Sequence, residues 1–170
     1  MEKISTSKKW NELLPDSAVQ QWLHTIAGSR SVTASQRSTS KLLLLYGAAK
    51  EDKIAAAALT GAYLKQDVYR VDASAIVSKY IGETEKNLEK IFLKSADKNW
   101  IFFFDEADAL FGKRTDVKDS HDRYAGLSVL LQKAAQFPNP VLLGVHTKSQ
   151  IPASFLIQFH AVQGFPKKKK

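Results

Sequence analysis

The chain has 170 residues, of which 44% are hydrophobic, and this length and composition are typical of one globular domain. It contains no cysteine, no apolar signal segment and no apolar run near the ~20 residues that span a bilayer, which excludes disulfides and thiolate metal sites and predicts a cytoplasmic protein away from membranes. The net charge is +8, but half of it comes from the lysine tail 167–170, so nucleic acid is not an expected partner.

The N-terminal region, residues 1–40, predicts one helix and one loop. Asp16 is a plausible N-cap, and it is followed by apolar side chains at helical spacing, namely Val19, Trp22, Leu23 and Ile26. From Ser29 to Ser40 the sequence is rich in serine and threonine and almost free of apolar residues, which indicates a loop. We therefore separate this region from a core at residues 41–166.

Within that core, short apolar runs alternate with helical patterns. The runs predict buried strands, in chain order Leu42–Tyr46, Asp67–Val71, Trp100–Phe104 and Val141–Val145. The segments between them predict helices at Lys53–Leu64, Asn87–Ala96 and 123–136. This alternation predicts an α/β fold with a parallel sheet flanked by helices, and such sheets bind ligands at the carboxyl ends of their strands.

The first strand–helix junction has the spacing of a phosphate-binding loop. In the pattern G-x-x-x-x-G-K-[ST], backbone amides and a helix N-terminus cradle phosphates. Gly47 and Lys53 fall at the required separation, but Asp52 replaces the second glycine and Ile54 replaces the hydroxyl residue that binds magnesium. Taken alone, this partial match is weak.

The third predicted strand ends in two carboxylates, Asp105 and Glu106. A buried strand that ends this way is typical of a Walker B element, in which the aspartate faces a magnesium ion and the glutamate can polarise the attacking water. The alternative is that Asp105 only ends a strand and caps the next helix. The phosphate-loop spacing upstream favours the first interpretation.

Together these motifs resemble the AAA family of P-loop ATPases over roughly residues 42–166. The segment 78–88, with Tyr80-Ile81-Gly82 at its centre, resembles the aromatic-hydrophobic-glycine pore loop of that family and the helix that follows it. The segment 105–114 resembles the family's Walker B region, and the segment 120–125 is similar to bacterial members.

The resemblance assigns roles to the residues that match the family's motifs. It implies nucleotide-binding residues, namely Gly47, Lys53, Asp105 and the sensor-1 position His146. It also implies Asp105 as the magnesium ligand, Glu106 as the catalytic residue and Tyr80-Ile81-Gly82 as a loop that grips a polypeptide. ATP and magnesium are the implied cofactors, and a protein partner or a mixed ring is the implied assembly.

The chain departs from the family pattern at several of these positions. The arginine fingers of the family correspond here to Ile157 and Gln158, and we expect no helical lid after residue 166, so the sequence resembles a degenerate member with an eroded Walker A. A carboxylate such as Asp52 placed about 4 Å from a phosphate charge costs roughly 4 kcal/mol. We therefore expect ATP binding to be weak or absent.

Two functions remain open at this point. In the first, the chain is a pseudo-ATPase, a scaffold that binds a protein partner or joins a mixed ring. In the second, it is a working ATPase that remodels proteins with arginine fingers from another subunit. For the first, we expect Lys53 to form an internal ion pair with Asp105 or Glu106 in the place of the nucleotide.

Overall fold

The computed structural model describes residues 1–13, 18–28, 41–80, 82–111 and 122–167. The strands are β1 (Glu2–Ile4), β2 (Leu42–Tyr46), β3 (Asp67–Asp72), β4 (Trp100–Asp105), β5 (Val141–Val145) and β6 (Ala161–Gly164). The helices are α1 (Trp10–Leu13), α2 (Ala18–Gly28), α3 (Lys50–Leu64), α4 (Glu83–Leu93), α5 (Ala125–Gln136) and α6 (Ala153–Leu156). No helix in these described ranges is both long enough and apolar enough to span a membrane.

The strands of the described residues form one sheet in the order β1-β3-β4-β5-β2-β6. Strands β2 to β6 pair in parallel, which confirms the predicted parallel sheet and its four predicted strands. Two edge strands were not predicted. Strand β6 adds a parallel edge beside β2, and β1 adds an antiparallel edge beside β3. Both are short, with little apolar patterning, so tertiary pairing decides them.

The core lies on both faces of the sheet. One face packs against α4 and α5, with inward side chains such as Leu44, Phe102 and Phe104. The other packs against α2 and α3, with Leu45, Phe103 and the α2 residues Val19, Trp22, Leu23 and Ile26. Alternate residues of each central strand are thus buried on opposite faces, and for this reason these strands read as continuous apolar runs.

The helix boundaries differ from the predicted ones. Helix α3 begins at Lys50 rather than Lys53, because alanine, lysine and glutamate favour a helix and no glycine at position 52 interrupts it. The predicted helix Asn87–Ala96 is instead Glu83–Leu93, which starts after Gly82 in a left-handed conformation. Helix α5 begins at Ala125 after one 3₁₀ turn. Asp16, the loop at 29–40 and residues 168–170 of the lysine tail lie outside the described residues.

Candidate functional site

The turn after β2 is closed by bonds within the protein. Gly47 has φ 120°, and its N–H donates to the carbonyl oxygens of Val145 and His146, each at 3.1 Å. A Cβ at Gly47 would collide with the carbonyl oxygen of Phe165, so both the φ angle and the space require glycine here. The same Phe165 oxygen accepts a bond from the N–H of Ala49 at 3.3 Å. The structure thus places two amides of the predicted phosphate loop in contact with other backbone groups.

The predicted ion pair of Lys53 is wrong. The Lys53 ammonium is buried and donates to the carbonyl oxygen of Val145 at 2.9 Å. Asp105 and Glu106 pair with other cations among the described residues. Burial lowers the pKa of Lys53, and the nearby charge of Asp105 opposes that shift. Because α3 starts early, Lys53 lies one turn inside the helix rather than at its first residue.

Asp105 is bonded by an arginine from the neighbouring strand. Its side chain is 1% exposed, and its Oδ2 accepts a hydrogen bond from Nε of Arg70 at 2.8 Å, while Nη2 of Arg70 lies 2.7 Å from the same oxygen in an ion pair. Its Oδ1 accepts a bond from the N–H of Glu106 at 3.0 Å. On the other side, Nη1 of Arg70 donates to Glu2 of β1 at 2.9 Å. Burial disfavours the charge of Arg70, but the bonds to Glu2 and Asp105 outweigh it and raise the Arg70 pKa.

Glu106 lies at the surface of the same junction. It has φ 55°, in the left-handed region, and its Oε1 accepts a bond from the Lys50 ammonium at 2.9 Å. Both side chains of this pair are about half exposed, at 50% for Lys50 and 45% for Glu106. The bond to Lys50 lowers the pKa of Glu106, so the carboxylate is charged at neutral pH. Lys50 thus bonds the predicted catalytic residue.

Asp52, which was expected to repel phosphate, is paired instead with a residue of the N-terminal segment. The ammonium of Lys8 donates to its Oδ1 at 2.7 Å, and Asp52 is 8% exposed. The predicted cost of about 4 kcal/mol assumed an unpaired carboxylate facing the ligand. Since Asp52 is paired with Lys8, that assumption does not hold in this structure.

A comparison with known proteins decides the family. Residues 43–166 match the model of the ATPase family associated with various cellular activities (AAA). The chain belongs to the AAA family.

The curated relatives are much longer proteins. The ATPase family gene 2 protein of Schizosaccharomyces pombe is 38% identical over 104 residues, which cover 59% of this chain and 13% of that protein. The 26S proteasome regulatory subunit 10B of Dictyostelium discoideum is 36% identical over 84 residues, which cover 49% of this chain and 21% of that protein. The AAA domain therefore matches only a small part of each of these relatives.

Solved structures share the fold. A structure of the FIGL-1 AAA domain in complex with ADP has a TM-score of 0.70 at 18% identity, covering 99% of this chain and 58% of that one. A chain of the Escherichia coli HORMA:CdnC:Trip13 complex has a TM-score of 0.63 at 14% identity, covering 99% of this chain and 70% of that one. At these identities the likeness shows the AAA fold alone.

The predicted pore loop of the AAA domain is exposed and partly ordered by side-chain bonds. Tyr80 is 61% exposed, and its N–H donates to the hydroxyl of Ser78 at 3.2 Å. That hydroxyl donates to Glu83 at 2.6 Å, which fastens the loop to the start of α4. Gly82 has φ 80°, while Ile81 lies outside the described residues.

A cavity of about 370 Å³ lies beside Tyr80, between the loop and the start of α5. Its lining combines apolar groups such as Leu110 with the charged side chains of Lys79 and Arg123. The segment 120–125, which resembles bacterial members, is described only from residue 122, so that likeness stays a prediction.

Two further predicted positions lie at the surface of the AAA domain. The His146 side chain is exposed, and its backbone N–H donates to Oδ2 of Asp108 at 2.8 Å. This bond holds the end of β5 against the turn after β4, and the sensor role of the imidazole stays a prediction. Ile157 follows α6 and is 83% exposed, so an apolar side chain stands where the family pattern has an arginine finger.

The side chains present do not fit a magnesium–ATP complex in this conformation. The implied magnesium ligand, Asp105, is bonded by Arg70, and Ile54 offers no oxygen to a metal. Helix α3 already begins at Lys50, which shortens the loop that would surround the phosphates. Within the described ranges, no group of three acidic, histidine or cysteine side chains could hold a metal ion.

The sequence did not reveal three residues that form ion pairs at this site, namely Glu2, Lys8 and Arg70. Of these three, only Arg70 could have been noticed in the sequence. It lies between the apolar residues Tyr69 and Val71 in the strand next to the Walker B strand. The parallel register pairs Arg70 with Phe103, two residues before Asp105, so the two charged side chains share one face of the sheet. Glu2 and Lys8 carry no pattern that connects them to residues 50–106.

Proposed function

We propose that this AAA domain is a scaffold that binds a protein partner or joins a mixed ring, and that it binds ATP and magnesium weakly or not at all. One observation carries the proposal: the carboxylate implied as the magnesium ligand, Asp105, already has a cationic partner in Arg70. In this interpretation the domain is a degenerate family member with an eroded Walker A. Its cytoplasmic location remains a prediction from sequence.

The rest of the site supports the same proposal. The loop implied to hold phosphates is shortened by the early start of α3, and Lys53 is bonded to a backbone carbonyl. An arginine finger is worth about 10³ to 10⁵ in hydrolysis rate. Ile157 and Gln158 supply no guanidinium to a neighbouring copy, so hydrolysis by a homo-oligomer would be slow.

The exposed Tyr80 and the cavity beside it support partner binding. An exposed aromatic next to a partly apolar cavity is a feature of protein-binding surfaces. One structural neighbour is a complex of HORMA, CdnC and Trip13, so this fold occurs in an assembly with other chains.

Titration with fluorescent ATP and ADP analogues, with and without magnesium, tests the proposal. We expect no saturable binding up to about 1 mM nucleotide. A dissociation constant of about 1 mM corresponds to a binding free energy of roughly −4 kcal/mol. Saturable binding below about 100 μM (roughly −5.5 kcal/mol), abolished by Lys53→Ala and unchanged by the remote variant Lys90→Ala, would contradict it. That result would favour the working ATPase that uses arginine fingers from another subunit.

A gain-of-binding variant sharpens the test. Asp52→Gly with Ile54→Thr restores the full phosphate-loop pattern at residues 47–54. We expect this double variant to bind magnesium–ATP at least roughly tenfold more tightly than the wild type, since glycine at position 52 disfavours the early start of α3 and threonine at position 54 supplies a hydroxyl. The matched control is Asp52→Ala with Ile54→Val, which removes the same charge without restoring the pattern.

A further inference from the structure

The carboxylate of Asp105 is almost completely buried and is paired with an arginine. It is 1% exposed, and an unpaired charge in such a place is strongly destabilising. In a metal site, the bound cation is usually the largest local charge and balances such a carboxylate. Here the Arg70 guanidinium lies against one carboxylate oxygen, with Nε donating a hydrogen bond at 2.8 Å and Nη2 at an ion-pair distance of 2.7 Å.

Arg70 is held in this position from its other side by the N-terminal strand. Strand β1 pairs antiparallel with β3 in a register that sets Glu2 opposite Arg70. Directly opposite residues of two strands project their side chains to the same face. Accordingly, Nη1 of Arg70 donates to Glu2 at 2.9 Å while Nε and Nη2 bond Asp105. The three residues form a continuous chain from the surface to the buried carboxylate.

We propose that the Arg70 guanidinium replaces the divalent cation as the counter-charge of Asp105, and that strand β1 pins it there through Glu2. The inference rests on the proposed function, because it explains how the domain stays folded without magnesium. It also gives the N-terminal strand a defined role, as part of the charge balance at the former nucleotide site. Removal of Arg70 should leave a buried carboxylate that a free divalent cation stabilises.

The thermal midpoint of the full chain, measured without nucleotide in EDTA and in millimolar MgCl₂, tests the replacement. We expect the wild type to give the same midpoint in both. Arg70→Gln should unfold at a lower temperature than the wild type in EDTA and should recover part of that loss in MgCl₂. Arg70→Lys keeps a positive charge, so its thermal midpoint should be the same in both solutions. The double variant Arg70→Gln with Asp105→Asn should lose the magnesium response, because the carboxylate is gone.

Manganese binding to the same proteins, followed by water-proton relaxation, gives a second readout. We expect Arg70→Gln to bind Mn²⁺ at least roughly tenfold more tightly than the wild type, and the double variant to lose this gain. The proposal that Arg70 replaces the cation would be overturned if magnesium raised the thermal midpoint of the wild type. It would also be overturned if Arg70→Gln neither gained stability in MgCl₂ nor bound Mn²⁺ more tightly.

Glu2→Gln tests whether Glu2 holds the Arg70 guanidinium in place. We expect this variant to stay folded, since the Glu2 side chain is 64% exposed. We expect the Nε–H of Arg70, observed by ¹⁵N NMR, to exchange with water several-fold faster in this variant, and the control Lys3→Gln on the same strand to leave it unchanged. An unchanged exchange rate in Glu2→Gln would overturn the pinning. These results are independent of the nucleotide titration: magnesium could stabilise the wild type without any nucleotide binding, and then only this inference would fail.

Discussion

Two strand–helix junctions at the same edge of the sheet have kept their motifs to different degrees. After β2, the junction keeps Gly47 and Lys53 in sequence, but α3 begins at Lys50 and Lys53 bonds a backbone carbonyl. After β4, the junction keeps both carboxylates, yet each is paired with a cation from elsewhere in the chain. A residue retained at a motif position therefore does not retain the motif's geometry, because its partners decide what it contacts.

The largest effect is expected at the first junction, from Gly47→Ala. A Cβ at this position would meet the Phe165 carbonyl, and φ 120° is unfavourable for any L side chain. We expect the free energy of unfolding to fall by at least about 3 kcal/mol, measured by urea denaturation. The control Gly82→Ala has φ 80° but open space around the Cβ, so it should cost only about 1 kcal/mol. Equal losses in both variants would show that the contact with Phe165 is unimportant.

The second junction separates a buried pair from an exposed one. Asp105→Asn weakens a charge-assisted hydrogen bond and removes a buried ion pair with Arg70, and we expect a loss of about 2 kcal/mol in the free energy of unfolding. Glu106→Gln, one residue later, breaks a half-exposed pair and should cost only about 0.5 kcal/mol. If the two variants were equally stable, burial would not be what distinguishes these carboxylates.

The exposed pair also predicts a small dependence on pH. The bond from Lys50 lowers the pKa of Glu106 below its ordinary value of 4.5, so the stability it adds is present above that value and is lost as the pH falls through the lowered pKa. The difference between wild type and Glu106→Gln should therefore shrink toward zero as the pH is lowered from 6 through this range. A difference that persists in acid would mean that Glu106 acts through something other than its charge.

The smallest effect is expected for Lys53→Met, although Lys53 is the lysine of the Walker motif. Burial lowers the Lys53 pKa, so the charged form costs stability at neutral pH and the wild type gains stability as the pH rises through the lowered pKa toward 10.5. The Val145 carbonyl keeps its bond from the N–H of Gly47. We expect Lys53→Met to differ from wild type by less than about 0.5 kcal/mol at pH 7. This variant should also lack the gain in stability at alkaline pH. A larger loss of stability at pH 7 would indicate that Lys53 makes an essential contact.

The sequence by itself determined the central sheet and the family. Strands buried on both faces must be apolar along most of their length, so β2, β4 and β5 appear directly as apolar runs such as Leu42–Tyr46. The positions of Gly47, Lys53 and the Asp105-Glu106 pair along the chain were equally visible, because motif spacing is a local property.

Only the tertiary structure decided what those residues contact. Arg70 lies 35 residues from Asp105, Glu2 lies 68 from Arg70, and Lys8 lies 44 from Asp52. No local pattern relates such positions, since strand pairing and the packing of the N-terminal segment bring them together. The early start of α3 was not predicted, since the sequence placed the helix start at Lys53, and Lys53 was expected to pair with one of the two carboxylates. The carbonyl of Val145 settled its direction, with Arg70 of β3 already paired with Asp105 and Lys50 of α3 paired with Glu106. Each buried charge takes the partner that folding brings within bonding distance.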